Sequence, residues 1–202
     1  MSSFASQSID TGAGRLVLIV GPSGSGKDTL ISWLQQRLRS NPEVLFVKRT
    51  VTRKADATSE DHDSLSEQDF FEAEDRSVFS VTWSAHGLRY GLPASSLRHV
   101  NCGGIAIANG SRRALAEISA VYPNVVVVNL TVQPQVLRQR LLDRGRETPE
   151  RIEQRLNDAG LPLITSLPVF ELDNSGPIES AGEKLVEMLL QDRAAPERAS
   201  NS

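Results

Sequence analysis

GPSGSGKDT, residues 21–29, lies between the apolar run LVLIV (16–20) and LISWLQQRL (30–38). The run before it is short, continuous and stopped by Gly-Pro, which predicts a buried strand over Arg15–Val20. The stretch after it carries Leu30, Trp33, Leu34 and Leu38 on one stripe, which predicts a helix from Gly26 to about Arg39. A GxxxxGK pattern between strand and helix is that of a loop whose backbone N–H groups wrap phosphate oxygens. Gly21, Gly24 and Gly26 supply the dihedrals such a loop needs, with Pro22, Ser23 and Ser25 between them. The helix beginning near Gly26 adds its positive end, and Lys27 adds a point charge.

Asp28 departs from the pattern, because a Ser or Thr that helps hold Mg²⁺ usually follows the lysine. Here the hydroxyl comes one residue later, at Thr29. Two metal readings stay open. Asp28 contacts Mg²⁺ directly or through water, or Thr29 takes the hydroxyl's place; both supply the oxygen that this ion prefers. The plainer alternative is an acidic residue favoured by the dipole of a helix's first turn.

The 202 residues suit one domain, and 39% hydrophobic content is enough for a sizeable core. A net charge of −3 gives no global basic field, so a nucleic-acid partner is not expected and anion binding must be local. The single cysteine, Cys102, excludes an internal disulfide and fits a reducing, cytoplasmic setting. The longest apolar runs, Leu16–Val20 and Val125–Val128, fall far short of the ~20 residues of a membrane-spanning helix. The N-terminus lacks the basic and apolar regions of a signal peptide. Flexible tails are expected over 1–13 and 193–202. The oligomeric state stays open, a homo-oligomer included.

Strand patterns at Val44–Arg49, Val78–Trp83, Leu88–Tyr90, Gly103–Ala108, Val125–Leu130 and Val169–Leu172 alternate with helical ones. The helices are expected at Glu67–Glu74 (capped by Ser66), Ala94–His99, Arg112–Val121, from Pro134 to about Asp143, from Pro149, and at Ile178–Leu190. The β-branched run at Val125–Val128 suits a parallel sheet covered on both faces. The fold expected is α/β: a three-layer, mostly parallel sheet around a phosphate loop. Residues 50–66 are polar and expected to be irregular, and 50–98 as a whole breaks the rhythm and predicts an insertion over the sheet edge.

With the loop placed, VTRKADATSEDHDSLSEQDFF (51–71), WSAHGLRYGLP (83–93) and RLLDRGRETPERIEQRL (140–156) resemble the guanylate-kinase-like P-loop kinases. The likeness runs from about 14 to 192. It implies one domain with an acceptor-binding insertion over about 50–98 and a lid over about 143–151. The run at 83–91, Asn-Gly-Ser-Arg (109–112), RGRE (144–147) and Asp-Asn-Ser-Gly (173–176) are similar to a narrower branch. That branch makes phosphoribosyl diphosphate from ATP and ribose 1,5-bisphosphate in phosphonate breakdown. The resemblance therefore implies ATP and Mg²⁺ as cofactors and a small phosphorylated sugar as partner.

Departures from true guanylate kinases sharpen this. Their guanine-reading glutamate aligns with Val81, and their second phosphate-binding arginine with Asp56. A site reads guanine strongly only if it keeps the partner group. The retained Arg53, with Arg49 as a second clamp, implies an acceptor that is a phosphate but not GMP. The strand end at Asn109 carries no acidic residue. An alcohol acceptor would need a base there, whereas a phosphate acceptor is already an anion. The resemblance assigns Lys27, Arg140, Arg144 and Arg155 to the transferring group, and Arg146 and Asn174 to the nucleotide. It assigns Arg49, Arg53, His86, Tyr90, Ser111 and Arg112 to the acceptor. Arg151 reads as a solvated helix face and Trp83 as packing. The competing readings are a nucleoside monophosphate kinase, a kinase with an alcohol acceptor, and a non-catalytic binding module, a type that typically loses the loop lysine and lid arginines this chain keeps.

Overall fold

The structure is a computed structural model and describes residues 13–52, 62–85, 87–145 and 147–191. Arg53, His86, Arg146, Asp56 and most of both expected tails lie outside the described residues. In chain order come β1 (Arg15–Val20), α1 (Lys27–Arg37), β2 (Val44–Val47), β3 (Arg49–Val51), β4 (His62–Ser64) and α2 (Glu67–Asp75). β5 (Phe79–Ala85), β6 (Leu88–Pro93), α3 (Ala94–Asn101) and β7 (Ile105–Asn109) follow. A 3-10 turn at Arg112–Ala114 leads into α4 (Leu115–Val121), β8 (Val125–Thr131) and α5 (Pro134–Asp143). α6 (Pro149–Ala159), β9 (Val169–Asp173) and α7 (Ile178–Gln191) close the fold.

The main sheet has the order β2-β7-β1-β8-β9, and all its described pairings are parallel. Every residue of β1 is buried, because it is central in the sheet and covered on both faces. Alternation along the strands sorts two apolar layers. Val17, Ile19, Ile107, Val128 and Leu130 pack on Leu30 and Leu34 of α1 and Leu185 of α7. Leu16, Leu18, Ala106 and Val127 pack on Val100 of α3 and Ile118 of α4. α1 and α7 meet closely: a Cβ on Gly182 would lie 2.3 Å from the Trp33 ring.

The segment expected as one strand over Val44–Arg49 is two strands in different sheets. β2 pairs with β7 as far as Val47 and Ala108, near that partner's end. Past Lys48 the chain turns to another partner, with Thr50 against Gly91 and Val51 against Tyr90. The polar stretch expected to be irregular therefore holds β4, paired in parallel with β3. Its backbone ladder needs no apolar side chains, so hydropathy hides it. β4-β3-β6-β5 forms a second sheet. Val81, Trp83 and Leu92 key it into the core layer beneath α3 and α4. Gly91 sits under the Phe79 ring, 2.6 Å from where a Cβ would lie. Behind this sheet the buried Tyr122 hydroxyl meets Ser80 Oγ at 2.8 Å and Ser96 Oγ at 2.7 Å. No helix among the described residues is long and apolar enough to cross a membrane.

Candidate active site

The loop after β1 turns through positive φ at Gly21 (153°), Gly24 (88°) and Gly26 (92°). A Cβ on Gly21 would lie 2.6 Å from the Leu130 carbonyl oxygen, and one on Gly26 would lie 2.6 Å from Asn174 Nδ2. Gly26 is also the N-cap of α1 and brings no capping side chain, so the helix's leading N–H groups face the loop. Lys27 Nζ donates to the Gly21 and Pro22 carbonyls, both at 3.0 Å, which holds the ammonium over the loop.

Asp28 and Thr29 leave α1 on different sides. Asp28 accepts a 2.7 Å hydrogen bond from Asn109 Nδ2 at the end of β7. Asn109 is buried, and its Oδ1 has no partner among the described residues. A carboxylate beside an unpaired amide oxygen is a donor set of the hard type that Mg²⁺ accepts. Thr29 instead lines a cleft of about 280 Å³ with Arg140, Arg144, Asn174 and Ile178. In that cleft Asn174 Nδ2 donates to the Ser25 carbonyl at 2.7 Å, and Arg140 Nη2 donates to the Asn174 carbonyl at 2.9 Å. The segment after β9 thus clamps the back of the phosphate loop.

On the other side of the loop lies a cavity of about 320 Å³, reached by Lys27, Arg49, Tyr90, Ser111, Arg112 and Arg113. Arg49 lies over the Tyr90 ring, 5.6 Å from its centroid, and Trp83 stacks on the same ring at 5.4 Å and 9°. Trp83 is 5% exposed, in keeping with a packing role. Val81 is sealed in the core two residues back on the same strand. Arg112 Nη2 donates to Asn129 Oδ1 at 3.1 Å, and Nη1 to the Leu161 carbonyl at 3.1 Å. A wider cleft of about 880 Å³ continues from the loop to Arg151 and Arg155 on α6. α6 starts at a Thr148 cap, and Arg155 pairs with Glu147 at 2.5 Å.

The structure brings Lys27, Arg49, Tyr90, Ser111 and Arg112 into one cavity. It groups Thr29, Arg140, Arg144 and Asn174 in another. The lid arginines are divided, Arg144 toward the Thr29 cleft and Arg155 toward the wide one. Arg151, expected on a solvated face, is exposed and lines that wide cleft. Sequence reasoning passed over Arg113, although it adjoins Arg112. It also passed over Asn129, a polar residue inside VVVVNL whose placement in an apolar strand was the available signal.

A phosphate loop at the strand ends of a parallel sheet, with a second sheet and a cation-lined cleft beside it, defines a guanylate-kinase-like P-loop kinase. Guanylate kinase from Anaplasma phagocytophilum shares the fold, with a TM-score of 0.64 and 15% identity over 91% of this chain and 88% of that one. The chain belongs to the ribose 1,5-bisphosphate phosphokinase family. It is 43% identical over 176 residues to ribose 1,5-bisphosphate phosphokinase PhnN of Agrobacterium fabrum, covering 87% of this chain and 96% of that protein. It is 42% identical over 182 residues to the protein of the same name from Pseudomonas paraeruginosa, covering 90% and 98%. No family model matches the chain.

Proposed function

We propose that the chain transfers the γ-phosphoryl group of ATP to the 1-phosphate of ribose 1,5-bisphosphate, giving 5-phosphoribosyl 1-diphosphate and ADP in phosphonate breakdown. A 1-phosphate oxygen forms the new bond to γ-phosphorus as the bond to the β-phosphate oxygen breaks. One observation carries the reading. The cavity beside the phosphate loop is lined by Lys27, Arg49, Arg112 and Arg113 and, among the described residues, by no carboxylate. An alcohol acceptor gains from a base that takes its proton, whereas a phosphate acceptor needs cations that offset the repulsion between two anions.

Lys27 and the loop N–H groups hold the nucleotide phosphates, Asn174 and the cleft it lines take the nucleoside, and Arg140 acts with Lys27 on the transferring group. Arg49, Tyr90, Ser111 and Arg112 hold the acceptor, with Arg53 and His86 assigned there by the family resemblance. Arg155 and Arg144 close over the transferring group and exclude water, and Arg146 completes that set. Asp28 with Asn109 would hold Mg²⁺ or its waters, and the ion would supply positive charge to the ATP phosphates. Rate enhancement then rests on positioning and electrostatics. The exposed free thiol of Cys102 fits a reducing cytoplasm.

A guanylate-type kinase is the alternative, and the burial of Val81 speaks against it. A coupled ADP-release assay with Mg²⁺-ATP and ribose 1,5-bisphosphate, GMP, AMP or gluconate separates the readings. Turnover on the bisphosphate with little on GMP is expected. Preferred turnover of GMP returns the chain to nucleotide substrates, and ATP binding without turnover of any acceptor points to a binding module.

A further inference from the structure

An acceptor with two phosphate groups presents one to the nucleotide, and the other needs cations of its own. The cavity beside the phosphate loop draws its cations from separate segments: Lys27 from α1, Arg49 from β3, and the adjacent pair Arg112 and Arg113 from the turn after β7. Several other arginines are matched by carboxylates, among them Arg89 by Glu74, Arg138 by Glu153 and Arg155 by Glu147. Arg113 is exposed, and its guanidinium has no partner among the described residues.

Among the described residues, Arg112 is held by neutral acceptors only, the Asn129 side-chain oxygen and the Leu161 carbonyl. Its orientation is thus fixed while its charge stays unmatched. Asn129 is 6% exposed and lies opposite Glu171 in the β8–β9 ladder. Its Nδ2 donates to both Glu171 oxygens, at 3.0 and 2.9 Å. A carboxylate only accepts, so Glu171 draws the amide's N–H groups to itself and turns Oδ1 toward Arg112. The amide also stands between cation and carboxylate. It passes on orientation without passing on negative charge.

We propose that Arg112 and Arg113 form the subsite for the acceptor's second phosphate, the one that is not phosphorylated, with Asn129 as the residue that positions Arg112. This rests on the bisphosphate reading above. A phosphate meeting two guanidinium groups makes several charge-assisted hydrogen bonds, and binding through the second phosphate aligns the first for attack.

The test uses the full chain with Mg²⁺-ATP. If the unaltered protein does not turn over ribose 1,5-bisphosphate, the acceptor reading falls, and this inference with it. If it does, Arg113→Ala is expected to raise KM for the bisphosphate roughly tenfold or more, with KM for ATP and Tm unchanged. Competitive inhibition by ribose 5-phosphate, which carries only the second phosphate, should weaken in parallel. Inhibition by ribose 1-phosphate should not change. Equal weakening for both monophosphates means a general field rather than a subsite, and no weakening for either means Arg113 touches no phosphate; each result overturns the proposal while the reaction stands. Asn129→Asp puts a carboxylate on Arg112 and should also raise KM for the bisphosphate. Adding Glu171→Gln relieves the repulsion between the two acids and should restore Tm while KM stays high. A return of KM to normal in the double variant would refute the positioning role.

Discussion

Asp28 is bonded sideways to Asn109, away from the residues that Thr29 joins. Of the two metal readings, this favours a carboxylate that acts with an amide oxygen. Asp28→Asn is expected to raise the Mg²⁺ concentration needed for half-maximal rate by about tenfold, the effect of losing one ordered contact around a metal. A magnesium titration at fixed ATP checks it, and an unchanged midpoint would leave Asp28 as a residue that only suits the helix dipole. Lys27 is the other residue whose charge is committed to the loop. Lys27→Met should lower kcat by roughly two to three orders of magnitude, as removal of one electrostatic donor does. Circular dichroism and Tm should stay near normal, because the Gly21 and Pro22 carbonyls that Lys27 bonds lie in a partly exposed loop and can turn to water.

At the scale of elements, the loop works because three segments far apart in sequence fit against it. β8 backs Gly21, α5 backs Gly24, and the turn after β9 backs Gly26. Gly26→Ala forces a non-glycine residue to φ 92° and drives its Cβ to within 2.6 Å of Asn174 Nδ2. A cost of about 1–3 kcal/mol is expected from the strained backbone alone. Chemical denaturation should register it, and KM for ATP should rise, because the displaced Asn174 also lines the cleft proposed for the nucleoside. Behind the second sheet the Tyr122 hydroxyl joins β5 to α3 through Ser80 and Ser96. Tyr122→Phe leaves two serine hydroxyls with one partner fewer and should cost about 1–2 kcal/mol. Burial raises the Tyr122 pKa above its ordinary value. Stability from the neutral phenol is thus present in full below the ordinary value and is lost as pH climbs through the raised one. The alkaline loss of stability should be shallower in Tyr122→Phe.

Across the whole molecule, the cleft of Thr29, Arg140 and Arg144, proposed for the nucleoside, and the cavity of Lys27, Arg49 and Arg112, proposed for the acceptor, flank one loop, and α6 brings Arg155 to the cleft that adjoins the second. Trp83, one of two tryptophans, stacks on Tyr90 at the acceptor side, whereas Trp33 packs between α1 and α7. In Trp33→Phe, ribose 1,5-bisphosphate should therefore change the emission of Trp83, while ATP alone should not. A response to ATP alone would mean that closing of the lid reaches the second sheet before the acceptor binds. The parallel sheet, its helices and the phosphate loop were legible in the chain, because apolar period, Gly-Pro punctuation and N-caps act within a few residues. Arg15–Val20 and Pro134–Asp143 have their expected bounds for that reason. The break at Lys48 between two sheets was not legible, since a strand ends where its partner ends. Nor were the Asp28–Asn109 bond, the parting of Thr29 from Asp28, or the line from Arg112 through Asn129 to Glu171. Each depends on strand register and side-chain direction between segments tens of residues apart, and only the folded backbone sets these.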